Sequence, residues 1–144
     1  MGPFGPPTFK AAMTVRIERP LSPHLQTYRV TMTMAMSIIH RATGIAMYFG
    51  TLLLAWWLIA AASGPAAYGH VQAFTGSFIG RLIVFGYTWS LLHHLLSGLR
   101  YFVWDLGYGF KPAEREGLTW GAAIGGISLT VLVWIIAYMI GGGR

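Results

Sequence analysis

The sequence predicts an all-α integral membrane protein, with three transmembrane helices preceded by a short N-terminal cytoplasmic segment. Of 144 residues, 55% are hydrophobic and only 10% charged, with a mean hydropathy of +0.56, values that place the chain among integral membrane proteins. Three apolar runs, about residues 42–63, 78–103 and 118–140, each reach the ~20 residues needed to cross a hydrocarbon core. The basic residues flank these runs. Lys10, Arg16, Arg19, Arg29 and Arg41 precede the first, Arg100, Lys111 and Arg115 lie at or in the second connection, and only Arg81 and Arg144 fall at the opposite ends. The positive-inside rule therefore puts the N-terminus and the second connection inside and the C-terminus outside.

The elements read in order as one membrane-anchor domain over residues 1–144, without internal repeats. The opening Met1-Gly2-Pro3-Phe4-Gly5-Pro6-Pro7 lacks the apolar core of a signal peptide and favours an irregular tail; Pro6 occupies the position where a myristoylation signal wants Ser or Thr. The rest of the 1–36 segment reads as an extended stretch fixed by Pro20 and Pro23, then a short helix from about Thr27 leading into the first span. Residues 64–70, with Gly64-Pro65 and Gly69, read as a turn on the outer side. Trp89 lies in mid-span, as a packing residue or pocket wall, whereas Trp56, Trp57, Trp104, Trp120 and Trp134 partly fit interfacial belts. Gly121, Gly125 and Gly126 read as a close helix-packing surface in the third span. The absence of an Arg- and Ser-rich presequence favours a bacterial inner membrane over a mitochondrial one.

Several chemistries are excluded. Without cysteine the chain offers no disulfide, cluster thiolate or covalent C-x-x-C-H haem linkage. The four acidic residues, Glu18, Asp105, Glu114 and Glu116, form no carboxylate pair within a span, which argues against a proton-driven transporter core. Neither a G-x-G-x-x-G nor a P-loop is present. The net charge of +6 follows from topology, since no basic face on a soluble fold suggests nucleic acid.

Polar residues inside apolar runs are the best pointers to function. One cluster is His93-His94-Leu95-Leu96-Ser97-Gly98-Leu99-Arg100, followed by Trp104-Asp105. At 100° per residue His94, Gly98 and Asp105 share a helix stripe, while His93, Ser97 and Arg100 share its neighbour. A haem ligand benefits from a small residue one turn away, so His94 beside Gly98 is a better ligand candidate than His93. Two adjacent histidines cannot take both axial positions of one iron, and a second ligand must come from elsewhere. The alternative is that both only hydrogen-bond to neighbouring helices. The other cluster is Ser37-Ile38-Ile39-His40-Arg41-Ala42-Thr43-Gly44, where His40 and Arg41 read equally well as a headgroup anchor and Ser37 as a helix cap.

Three motifs in order, Arg19-Pro20-Leu21-Ser22-Pro23-His24-Leu25, Ser37-Ile38-x-His40-Arg41-x-Thr43-Gly44, and His94-x-x-x-Gly98-x-Arg100 with Trp104-Asp105, carry a resemblance. Over about residues 16–140 the chain resembles the cytochrome b556 membrane-anchor subunits of succinate dehydrogenase, respiratory complex II. It departs at Tyr101, where many relatives carry a second histidine. The resemblance implies that His94 is an axial ligand of the iron of haem b, shared with a small hydrophobic anchor subunit that brings the other histidine. It further implies that His40 and Arg41 hold the haem propionates and that Ser37 and Arg41 line a ubiquinone site. The partners it implies are the flavoprotein and iron–sulfur subunits, the small anchor subunit and membrane lipid, with no nucleic acid. Alternatives are the anchor of a quinol:fumarate reductase, or a haem-free structural or transport subunit.

Overall fold

The structure, a computed structural model, describes residues 29–141. Four helices follow one another: α1 (Met32–Ser63), α2 (Pro65–Gly76), α3 (Phe78–Asp105) and α4 (Pro112–Gly141). The three long ones are each apolar and long enough to cross a membrane. The described part of the chain is all-helical, as the sequence predicts.

The boundaries differ from the sequence reading in two places. Among the described residues no separate short helix precedes the first span: residues 29–31 are non-helical, and a single helix begins at Met32, while the expected start at about Thr27 lies outside the described residues. At 1.5 Å per residue its 32 residues run ~48 Å, well beyond the ~30 Å hydrocarbon core. Ser37, His40 and Arg41 thus ride on the same rigid rod as the span. The second difference is α2, a 12-residue helix where a turn was expected. Gly64, at φ +111°, makes the sharp exit from α1 that other residues resist, and Pro65 opens α2 at the first helical position, where its missing N–H costs nothing. Val71 of α2 is buried and Phe74 packs edge-on against Trp56 of α1, so α2 folds back along the bundle. Ser77 then caps α3, its Oγ accepting from the Gly80 amide at 3.1 Å.

The long helices alternate in direction. His94 of α3 meets His40 of α1, and Tyr87 meets Gly50 one stretch further along; Arg100 of α3 reaches Thr119 of α4, and Thr88 reaches Trp134. Helix α3 is central, packing most extensively on α4 and then on α1. The core is small and polar: Thr43 and Gly50 from α1, Ser90, His93 and Ser97 from α3, and Thr119, Ala122, Gly126 and Thr130 from α4 are all buried. The large apolar side chains point outwards. That inversion suits lipid, where burying leucine gains nothing and close backbone approach with satisfied hydroxyls holds helices together. A Cβ on Gly126 would lie 3.1 Å from the Cα of His93, and Thr130 and Thr119 return their hydroxyls to carbonyls one turn back at 2.7 Å. Of the three glycines expected to pack, Gly125 and Gly126 meet α3, whereas a side chain at Gly121 would touch nothing.

The Arg16–Leu25 motif and the extended segment expected there lie outside the described residues.

Candidate functional site

The N-terminal third of α1, the last three turns of α3 and the first turns of α4 converge at one end of the bundle, the Arg41 end. His94 projects from α3 onto α1. Its ring stacks on that of His40, with centroids 3.9 Å apart and planes 17° from parallel. Gly44 permits this approach, since a Cβ there would sit 3.2 Å from His94 Cε1. His94 Nδ1 lies 3.1 Å from the His40 carbonyl oxygen and 3.3 Å from Thr43 Oγ1, which itself donates to the same carbonyl at 2.9 Å.

That carbonyl can only accept, so Nδ1 carries the proton and Nε2 is left as the lone-pair nitrogen. Nε2 has no hydrogen bond among the described residues. A histidine whose Nδ1–H is held by a backbone carbonyl while Nε2 stays open is the arrangement of a metal-ligating imidazole. Gly98, one turn on along the same helix stripe, has no atom within 4 Å of where a Cβ would stand, so that stripe is open there to a flat group. The residues therefore fit a haem held through one histidine of this chain. No cluster of three or more potential metal ligands exists among the described residues.

His93 differs sharply. It is 1% exposed, its Cα and Cβ lie beneath Gly126 of α4, Ser97 Oγ stands 3.3 Å from its Nε2, and Trp89 stacks on its ring at 5.3 Å. It is a packed core histidine in the α3/α4 seam, separating the two neighbours as their 100° offset requires.

Ser37 is half-buried in the second turn of α1 and caps nothing: the cap position belongs to Thr31. Its hydroxyl makes no hydrogen bond among the described residues, unlike the hydroxyls of Thr43, Thr51 and Ser63 on the same helix. Arg41, one turn on, is exposed and has no ion pair among the described residues. Both lie on the rod that carries His40 and Gly44 to His94. The two sequence clusters thus meet through His40, Thr43 and Gly44, with Ser37 and Arg41 at the margin of that meeting.

Arg100 corrects the sequence reading, which counted it with the residues that mark topology. It is 2% exposed, buried between α3 and α4, with Nη1 donating to Thr119 Oγ1 at 3.1 Å and the guanidinium against the rings of Trp104 and Tyr101. Tyr101 in turn lies 5.2 Å from the His40 ring. Position on the His93–Ser97 stripe was the signal that could have revealed this burial. Thr43 and Gly44 were visible as motif letters, and their spacing of three and four residues from His40 puts them on its face.

Residues 15–138 match the family described as succinate dehydrogenase/fumarate reductase transmembrane subunit. The succinate dehydrogenase cytochrome b556 subunit of Paracoccus denitrificans is 38% identical over 124 residues, covering 86% of this chain and 95% of that protein. Its counterpart in Rickettsia felis is 32% identical over 126 residues, or 88% of this chain and 98% of the relative. The mitochondrial succinate dehydrogenase cytochrome b560 subunit of Sus scrofa is 38% identical over 96 residues, 63% of this chain and 55% of that one. Together with the three long apolar helices, these matches show that the chain belongs to the succinate dehydrogenase/fumarate reductase transmembrane subunit family.

Proposed function

We infer that this chain is the haem b-carrying membrane anchor of a succinate:ubiquinone oxidoreductase, with the flavoprotein and iron–sulfur subunits docked at its Arg41 end. The observation that carries the haem assignment is the His94 imidazole, its proton pinned to the His40 carbonyl and Nε2 open. His94 would bind the iron and the small hydrophobic anchor subunit would bring the other axial histidine. Haem so held supplies a one-electron carrier within the membrane. The chain's own contribution is to orient the imidazole through His40 and Thr43. His40 and Arg41 would receive the propionates, the latter with a forked set of donors. With no cysteine, this chain has no thiolate to ligate a cluster, which would fall to the iron–sulfur subunit, and succinate oxidation would fall to the flavoprotein subunit.

Ser37 and Arg41 would line the ubiquinone site. A quinone carbonyl that is being reduced gains negative charge, and a hydroxyl donor with a cation one helical turn away stabilises it. The Ser37 hydroxyl, which makes no hydrogen bond among the described residues, supports this role. The test is the assembled complex carrying Ser37→Ala or Arg41→Leu. Each should slow succinate-to-ubiquinone electron transfer, by about ten- to a thousand-fold, and leave succinate oxidation by an artificial soluble acceptor nearly unchanged. Arg41→Leu also removes a propionate partner, so Ser37→Ala is the cleaner variant. Ubiquinone reduction at the parental rate in Ser37→Ala, over a range of quinone concentrations, would remove the hydroxyl from the site.

A further inference from the structure

Arg100 carries a full positive charge inside the bundle, and the described residues do not neutralise it. The one ion pair among them joins Lys111 to Glu114 on the surface. Of the three guanidinium nitrogens only Nη1 is used, towards Thr119 Oγ1, whose proton is already committed to the Arg115 carbonyl at 2.7 Å. Nε and Nη2 are buried and have no hydrogen-bond partner among the described residues. These two adjoining nitrogens form the edge through which arginine grips a carboxylate with two parallel hydrogen bonds. The Trp104 ring lies 4.9 Å from the guanidinium carbon, and its Nε1–H is also buried without a partner among the described residues. Ring faces and one hydroxyl offset a buried charge incompletely; a membrane arginine of this kind calls for an anion.

We propose that the Nε–Nη2 edge of Arg100, with the Trp104 indole N–H beside it, is a carboxylate-binding site that is completed in the assembled complex. Given the function inferred above, two groups bring that chemistry to the Arg41 end: a haem propionate, or an acidic side chain of a partner subunit. The site is continuous with the haem ligand, because Tyr101 joins Arg100 to His40 and His40 stacks on His94.

The experiment compares the purified complex carrying Arg100→Gln or Arg100→Lys with the parental one. The readouts are the haem-to-flavin ratio, the haem midpoint potential, and the salt concentration that strips the soluble subunits from the membrane. A b-type spectrum in the parental complex is recorded first; its absence would overturn the haem function, while the salt measurement would still test the carboxylate site. If a propionate binds, Arg100→Gln loses haem about ten-fold more readily or changes its potential, with the soluble subunits retained as in the parent. If a partner's carboxylate binds, haem is unchanged and the soluble subunits leave at lower salt. Parental behaviour in all three readouts overturns the proposal. Should Arg100→Gln not accumulate, Arg100→Lys, which keeps the charge and loses the fork, is judged by the same readouts.

Discussion

Truncating the adjacent histidines to alanine should have opposite consequences for haem and for stability. His93→Ala removes a ring that is 1% exposed and packed under Gly126, and leaves a cavity in the seam between α3 and α4. Large-to-small changes at such buried sites cost about 2–5 kcal/mol, and Ser97 also loses the ring nitrogen opposite its hydroxyl. His94 is only half-buried, and its contacts are the His40 stack, Thr43 and Gly44. Losing that stack costs about 1 kcal/mol of packing. If His94 is the iron ligand, however, its truncation abolishes binding of the group, whereas His93→Ala keeps the haem it can fold around. The expected result is thus a His94→Ala complex with little b-type absorbance and modest thermal destabilisation, and a His93→Ala complex with haem but a markedly lower melting temperature. The haem-to-flavin ratio, a reduced-minus-oxidised spectrum and thermal unfolding of the same preparations measure both effects. Added imidazole should partly restore the spectrum of His94→Ala by filling the vacated position. Parental haem in His94→Ala, or haem lost only in His93→Ala, would refute the assignment.

Gly126→Val should destabilise the protein by about 1–3 kcal/mol, since its Cβ meets the α3 backbone at 3.1 Å and the helices must separate; Gly121→Ala on the same helix, where a Cβ meets nothing, should be neutral in the same melting assay. A periplasmic-type reporter fused after residue 144 should be active and a cytoplasmic-type one silent, because the basic residues concentrate at the N-terminus and the α3–α4 connection; the reverse pattern would invert the topology.

The three spans were legible because lipid demands long apolar runs, a signal that survives without any knowledge of partners. The 12-residue α2 was not, since its mixed Ala, Gly and His composition carries little helical periodicity and Gly64-Pro65 reads as a turn. Pro65 at the first helical position was the available clue. That His94 and His93 face different neighbours was also legible from angle, but the glycine beside His94 on its stripe was only part of its surroundings. Gly98 leaves space on the outer side of the His94 stripe, whereas the glycine that seats the ring against α1 is Gly44, fifty residues earlier in the chain. Contacts of that separation do not show in local spacing. Arg100 was misplaced for a different reason: an arginine near a helix end is ordinarily drawn to the headgroups, and only the small residues of α4, which let that helix close over α3, keep it inside. Its burial is the reason a carboxylate partner is proposed for it. The sequence of one subunit would display half of such a pair, and Nε and Nη2, without a hydrogen-bond partner among the described residues, are where the proposed carboxylate would bind.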